Sequence, residues 1–353
     1  MMADTSPCIL YWGESHSIIY NEASVPLLGD KHPNAMGMAA QDWFPQFWNA
    51  FGKVIAEQRQ NGLTLRGEAS MVLIERLGFL EETYVDWKLI PILGQHGEVK
   101  GSYGMPTDLT TSVIRQRQID CTRNLNDLTM QANDMTALWR STLAGLSNDS
   151  KDIGLALVYT LDNAVPANSS VTKGSLWCSL ETSIGLGTGQ GLARQKVDLQ
   201  GDTDGFAPTM LGALKTNSTL VLEANDILMS GHLDATIWTL HKVPPQQFVI
   251  IPLVSDGVAF AFLVAAISPY RRYGPLYEEF FEIVRNILET QISRVRLAQE
   301  VERQDQLARQ ATLDLQRSEL KFHRFSERSI AGLAIIDIDC NVRSTHFSPE
   351  LSH

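Results

Sequence analysis

Between Pro275 and Arg328 the sequence contains no further glycine or proline and is dense in charge. The whole run is therefore expected to form one long helix, because proline suits a first helical turn and nothing after it interrupts the backbone ladder. Within that run Leu297, Val301, Gln304, Ala308, Ala311, Leu315, Ser318, Phe322 and Phe325 alternate four and three residues apart. The pattern is an imperfect heptad seam with polar Gln304 and Ser318 at core positions. A lone solvated helix would not need apolar residues at that spacing. Leu297, Val301, Ala308, Ala311, Leu315 and Phe322 are accordingly the expected seam of a homodimer. Upstream, Phe281, Val284, Leu288 and Val295 keep a different register, as expected of a face that packs on a domain.

The sequence before this helix is long enough for two domains in a chain of 353 residues. Ile9 to Trp12 and Ser17 to Tyr20, split by Gly13, Glu14, Ser15 and His16, read as a β-hairpin. Short helical stretches follow, broken by Gly29, Pro33 and Gly37; Phe44, Phe47, Trp48 and Phe51 then recur at helical spacing and share one face. Strands are expected at 69–74, 85–92 and 99–105. Two strands, small helices and three strands is the order of a PAS fold. Residues 112–146 suit helix, with Ile119, Leu125, Leu128, Met135 and Leu138 as the apolar face. A buried strand over 153–161, closed by an Asp162-Asn163 turn, and strands near 220–222, 248–252 and 258–267 make a second sheet domain. The expected division is 1–112, 116–296, a connector helix over 297–325, and a fragment over 326–353 that holds one strand and the start of another. The fold class is α+β, two antiparallel-sheet domains joined to a long helix.

Bulk properties narrow the function. A net charge of −11 opposes general nucleic-acid binding, which needs a basic surface. No apolar run is long enough to span a bilayer, and the N-terminus lacks a basic segment followed by an apolar one, so the expected compartment is the cytoplasm. Cys8, Cys121, Cys178 and Cys340 are scattered without a CxxC pair, which supports neither a disulfide framework nor a zinc site.

Several segments resemble a known family. Leu10-Tyr11-Trp12-Gly13, Ile19-Tyr20-Asn21-Glu22-Ala23 and Leu28-Gly29-Asp30-Lys31-His32-Pro33 resemble the first PAS domain of hybrid sensor histidine kinases, especially fungal ones. Glu75 to Tyr84 is similar to a second signature of that domain, and Asp152 to Asp162 to the first strand of the GAF domain that follows it. Pro269-Tyr270-Arg271-Arg272-Tyr273 resembles the turn before the last GAF helix, and Lys321 to Arg328 the lead-in to a further PAS domain. The resemblance implies a PAS-like domain, a GAF-like domain and a signalling helix reaching the start of a second PAS domain. It implies a sensory input module of a two-component phosphorelay protein. The phosphoacceptor box, ATP-binding domain and receiver domain of that family have no counterpart in these residues, so no catalysis is expected of this chain. The other readings are a redox enzyme built on the GAF-like domain, as in free methionine sulfoxide reductases, or an interaction protein that pairs with a full-length histidine kinase.

Individual motifs carry less. Gly185, Gly187, Gly189 and Gly191 lack the Lys-Ser or Lys-Thr of a phosphate loop, and Gln190 breaks the dinucleotide spacing, so a GAF loop is expected. His323 is followed by Arg324-Phe325-Ser326 rather than the family's phosphoacceptor sequence and reads as a surface residue. His16, His32, His232 and His241 have no metal-ligand spacing. Neither a metal nor a cofactor is expected, since the flavin motif Asn-Cys-Arg-Phe is absent and Lys31-His32-Pro33 reads as a turn. Cys178 reads as a buried strand residue. Glu81-Glu82 and Glu278-Glu279 are adjacent pairs whose members face different ways, and form no acid/base dyad. Trp43, Phe47, Trp48 and Phe51 form the strongest apolar cluster, as core or as the wall of a small-molecule pocket.

Overall fold

The computed structural model describes residues 1–43, 45–147, 151–166, 176–186, 192–225, 243–328, 333–336 and 342–346. Phe44, His232, His241, Cys340 and the glycines at 187, 189 and 191, singled out in the sequence, lie outside them. Two compact units are present, Met1–Ile292 and Ser293–His353.

In the first unit, β1 (Ile9–Trp12) and β2 (Ser17–Tyr20) form the expected hairpin, with Gly13 and His16 at positive φ in its turn. Asn21 and Ser24 lock the segment after it: both side chains accept from the Cys8 N–H, at 3.0 and 2.8 Å. Then come α1 (Val25–Leu28), α2 (Ala40–Trp43) and the longer α3 (Pro45–Asn61). The strands β3 (Leu65–Arg76), β4 (Phe79–Leu93) and β5 (Val99–Asp108) complete a five-stranded antiparallel sheet in the order β2-β1-β5-β4-β3, a PAS-like domain. The strand expected over 85–92 begins earlier, at Phe79. Leu77 and Gly78, both at positive φ, make a two-residue turn that joins β3 to β4 directly.

The helix α4 (Thr110–Met130) leads out of that sheet and α5 (Met135–Ser147) follows. The sequence predicts one helical stretch here, but it breaks at 131–134, where the Asp134 carboxylate accepts from the Ala137 N–H at 2.7 Å and caps α5. Ile119, predicted inward, is 43% exposed; Thr110, Ile114, Gln118, Cys121, Leu125 and Thr129 are the buried residues of α4. A six-stranded antiparallel sheet follows: β6 (Ile153–Pro166), β7 (Trp177–Ile184), β8 (Lys196–Asp198), β9 (Leu220–Glu223), β10 (Gln247–Ser255) and β11 (Val258–Ile267), ordered β8-β7-β6-β11-β10-β9. This is the GAF-like domain, with α6 (Ala207–Thr216) between β8 and β9. The turn expected at Asp162-Asn163 does not form. Asp162 stays in strand because Ser179 Oγ donates to its carboxylate at 2.8 Å and β11 pairs on as far as Pro166. Leu155, Leu157, Tyr159, Phe248, Ile250, Phe262 and Val264 form the core on the α6 side.

The helix α7 (Pro275–Arg328) starts at the proline, as expected. Phe281, Val284, Leu288 and Val295 are all buried, in keeping with their separate register. In the second unit the helix is exposed from Leu297 to Phe325, and β12 (Leu333–Ile336) pairs antiparallel with β13 (Val342–His346). Among the described residues no helix is long and apolar enough to cross a membrane.

One glycine fixes the approach of the first helical segment to the sheet. Gly29 has φ +56°, and a Cβ there would lie 2.1 Å from the Glu75 carbonyl oxygen. Gly29→Ala is expected to cost about 1–2 kcal/mol from the left-handed backbone alone, with the clash adding to it. Thermal unfolding followed by circular dichroism should show a drop in Tm of at least ~2–4 °C.

Candidate functional site

The PAS-like domain holds an apolar cavity of about 80 Å³ between its helices and the inner face of its sheet. Trp43 from α2 and Phe47, Trp48 and Phe51 from α3 line it, so the structure brings all four sequence-selected aromatics to one place. For Phe47, Trp48 and Phe51 proximity follows from helical spacing, since residues three and four apart share a face, while Trp43 is brought in by α2. Phe47 stacks on Phe51 with ring centroids 5.4 Å apart, and Phe51 meets Trp87 edge-on at 6.3 Å.

Sheet residues complete the wall, among them Tyr11, Val72, Ile74, Val85 and Trp87, none of which sequence reasoning selected. Their signal was strand alternation: in Val85-Asp86-Trp87-Lys88-Leu89 the apolar members share one face. Gly67 allows Trp87 to lie across β3, since a Cβ there would come within 2.4 Å of the indole ring. Gln58, fully buried on α3, ties the helix to the sheet by donating to the Leu89 carbonyl at 2.7 Å and accepting from Ser102 Oγ at 2.5 Å. That pair of bonds sets the distance between helix and strands, and so the depth of the cavity.

Among the described residues no ionised side chain lines the cavity. Burial raises the Tyr11 phenol well above its ordinary value, keeping it neutral. His16 packs on Trp48 with centroids 5.6 Å apart, and burial, helped by the nearby Arg59 charge, lowers its pKa, so the ring is neutral at pH 7. His16 Nε2 is buried without a hydrogen-bond partner, as is the hydroxyl of Thr83, which pairs with Val72 across the β3–β4 ladder. The space suits a neutral, largely hydrocarbon group. An apolar cavity that takes benzene measures about 150 Å³, so a tricyclic or macrocyclic cofactor exceeds this one.

Among the described residues the GAF-like domain offers less room. Tyr159, Leu192, Arg194, Val197, Asp204, Gly205 and Phe206 enclose about 10 Å³, the space of one water. Arg194 closes it through ion pairs with Asp204 at 2.6 Å and Asp202 at 3.7 Å. Cys178, fully buried on β7 as the sequence predicts, has its thiol pushed up to about 12 by burial and then by Asp162. It stays protonated at neutral pH and is no nucleophile there. His32 accepts or donates at Nδ1 with the Tyr20 hydroxyl at 2.9 Å, a structural contact. Glu81 and Glu82 take different partners, Arg76 at 2.6 Å and Arg117 at 3.2 Å, as their opposed directions require. The six seam residues lie along the exposed part of α7, with Leu297 68%, Val301 61% and Leu315 61% accessible. Among the described residues no cluster of His, Cys, Asp or Glu could hold a metal ion.

No protein-family model and no curated protein matches the chain. Solved structures do. A PAS domain from Colwellia psychrerythraea is 16% identical over 31% of this chain and 91% of its own, with a TM-score of 0.26. The GAF domain of a phosphoenolpyruvate-protein phosphotransferase from Coxiella burnetii is 12% identical over 52% of this chain and 96% of its own, TM-score 0.37. A free methionine-R-sulfoxide reductase from Neisseria meningitidis is 16% identical over 52% and 93%, TM-score 0.36. The chain spans 36% of the length of an RNA-binding light-oxygen-voltage receptor, TM-score 0.28. At these identities and scores the likenesses assign no function.

The Cys178 thiol gives a pH test. Its folded pKa is raised, so its contribution to stability is complete below the ordinary thiol value of about 8.5 and is lost as the pH rises toward 12. Denaturant midpoints at pH 7 and pH 10.5 should fall further apart in the wild type than in Cys178→Ala.

Proposed function

We propose that this chain is the sensory input module of a two-component phosphorelay protein, in which the PAS-like and GAF-like domains pass a signal along a dimeric α7. The output domain lies outside these residues, and a full-length histidine kinase of the same family is the natural partner. The cavity walled by Trp43, Phe47, Trp48 and Phe51 receives the signal as a small, uncharged, hydrocarbon-rich molecule. The module works in the cytoplasm and performs no catalysis itself.

The observation that carries this proposal is the stripe on α7. Leu297, Val301, Leu315 and Phe325, each more than 60% exposed, recur at heptad spacing along a helix whose other exposed positions are mostly polar, with Leu307, Leu313 and Leu320 the large apolar residues off the seam. A second copy of the helix would bury them. In a parallel pair Glu300 would face Asp305 of the other copy, and Asp314 would face Glu319. Three of these acids already have an arginine of their own helix: Glu300 with Arg303 at 2.8 Å, Asp305 with Arg309 at 2.7 Å, and Asp314 with Arg317 at 3.8 Å. Hydrogen bonds from Arg303 and Gln304 hold Glu300 down at about 2, ionised through the physiological range. Together with Gln304 and Ser318, this makes a weak seam, the kind two packing states can share.

The redox-enzyme alternative has the protonated Cys178 against it. Sulfoxide turnover with thioredoxin that disappears in Cys178→Ser would overturn the non-catalytic assignment.

Sedimentation equilibrium at tens of micromolar should find a dimer, and Leu297→Asp combined with Val301→Asp should give a monomer with unchanged helix content. A wild-type monomer would sink the dimer. Native mass spectrometry of the purified chain should reveal a small neutral adduct. Gly67→Ala, which drives the Trp87 ring off β3 and into the cavity, should remove that adduct.

A further inference from the structure

The strand β4 has two faces with different duties. Val85 and Trp87 line the cavity. A few residues away, Glu82 and Tyr84 meet the GAF-like domain instead. Arg117 on α4 donates to Glu82 at 3.2 Å and to the Tyr84 hydroxyl at 3.3 Å. The same guanidinium forms a two-pronged pair with Asp152, at 2.8 and 2.6 Å, next to the first residue of β6. Asp152 is fully buried and also accepts from the hydroxyl of Tyr277, a buried residue in the first turn of α7, at 3.1 Å. Lys151 Nζ lies 3.4 Å from the Tyr84 hydroxyl.

A second tie is made by the backbone. Pairing of β4 with β5 ends at Val85 and Asp108. Beyond that point the free edge of β4 is taken by the Pro269–Tyr273 turn, the segment leading into α7. The Glu82 N–H donates to the Tyr270 carbonyl at 3.0 Å, and Arg271 donates to the Glu82 carbonyl at 2.9 Å. Arg271 also approaches Glu81 at 3.7 Å, and the Arg272 guanidinium stands 4.9 Å over the Phe79 ring.

We propose that β4 is a direct relay from the PAS cavity to the root of α7, clasped by Arg117 on one side and by the Tyr270-Arg271-Arg272 turn on the other, so that the small GAF pocket is bypassed. A displacement of Val85 or Trp87 by an occupant moves a rigid strand, and the residues that feel it are Asp152, Tyr277 and the turn before Pro275. Arg117 is a positioning residue here: it touches no ligand, and it couples two carboxylates that belong to different sheets. The relay rests on the sensory proposal above for its meaning, but its test needs no ligand.

Val72→Phe, which adds a ring to the cavity wall opposite Thr83, serves as the probe. Hydrogen exchange of the full chain, read by mass spectrometry, should show the amides of 275–292 shifting by about fivefold or more on this substitution, the scale of an ordinary coupling energy. In an Arg117→Met, Arg271→Met background the same substitution should leave 275–292 unchanged while still altering exchange in β4. An equal response in both backgrounds, or no response at 275–292 in either, overturns the relay. Should the double background fail to fold, Glu82→Gln removes the charge that Arg117 binds on β4 and keeps the Arg117–Asp152 pair; the 275–292 response should then shrink at least by half, and an undiminished one overturns the relay. Absence of any natural adduct would count against the ligand and leave this result standing.

Discussion

A carboxylate with no access to water sets the terms for the first unit. Asp152 is completely buried, and an unpaired charge there would carry a desolvation penalty of several kcal/mol. Arg117 and Tyr277 answer that penalty together. Burial alone would lower the Arg117 pKa; the Asp152 and Glu82 carboxylates together outweigh it, and the guanidinium stays charged. Removing one partner from such a pair typically costs about 3–5 kcal/mol. The two sheets are thus joined through this buried charge together with the Tyr270-Arg271-Arg272 turn on β4, and α4, the strand β6 and the start of α7 meet at the same few atoms.

Apolar burial does the rest of the work and does it differently in the two domains. The GAF-like core is close-packed, with β6, β10 and β11 carrying fully buried residues on both faces. The PAS-like domain leaves a gap beneath α3 and keeps it open with Gln58, whose amide is satisfied on both sides. A gap of that kind is a stability cost, since cavity walls forgo contacts they could have made. It persists because helix and sheet are held apart by hydrogen bonds, which do not adjust smoothly as side-chain packing does.

How much was legible in the sequence follows from the range of each signal. The long helix, the first hairpin and the shared face of Phe47, Trp48 and Phe51 were readable because each is a local pattern. Val85, Trp87 and Val72 were not, since strand alternation gives a face and not the neighbour that face will meet. The Asp162-Asn163 pair looked like a turn because those residues favour one; a serine seventeen residues away and the length of β11 overruled it. The break at 131–134 was marked by Asp134, an ordinary helix cap missed within a continuous polar stretch. Arg117, Asp152 and the Pro269–Tyr273 turn come from distant parts of the chain, and no periodicity announces that they converge.

The aromatic wall has one more property. The chain contains seven tryptophans, and three of them, Trp43, Trp48 and Trp87, face the same cavity. Indole emission depends on the polarity and contact partners around the ring, so whatever enters or leaves this space alters the light the protein gives off. The molecule carries its own optical gauge of occupancy, built from the side chains that would do the binding, and no label has to be attached to use it.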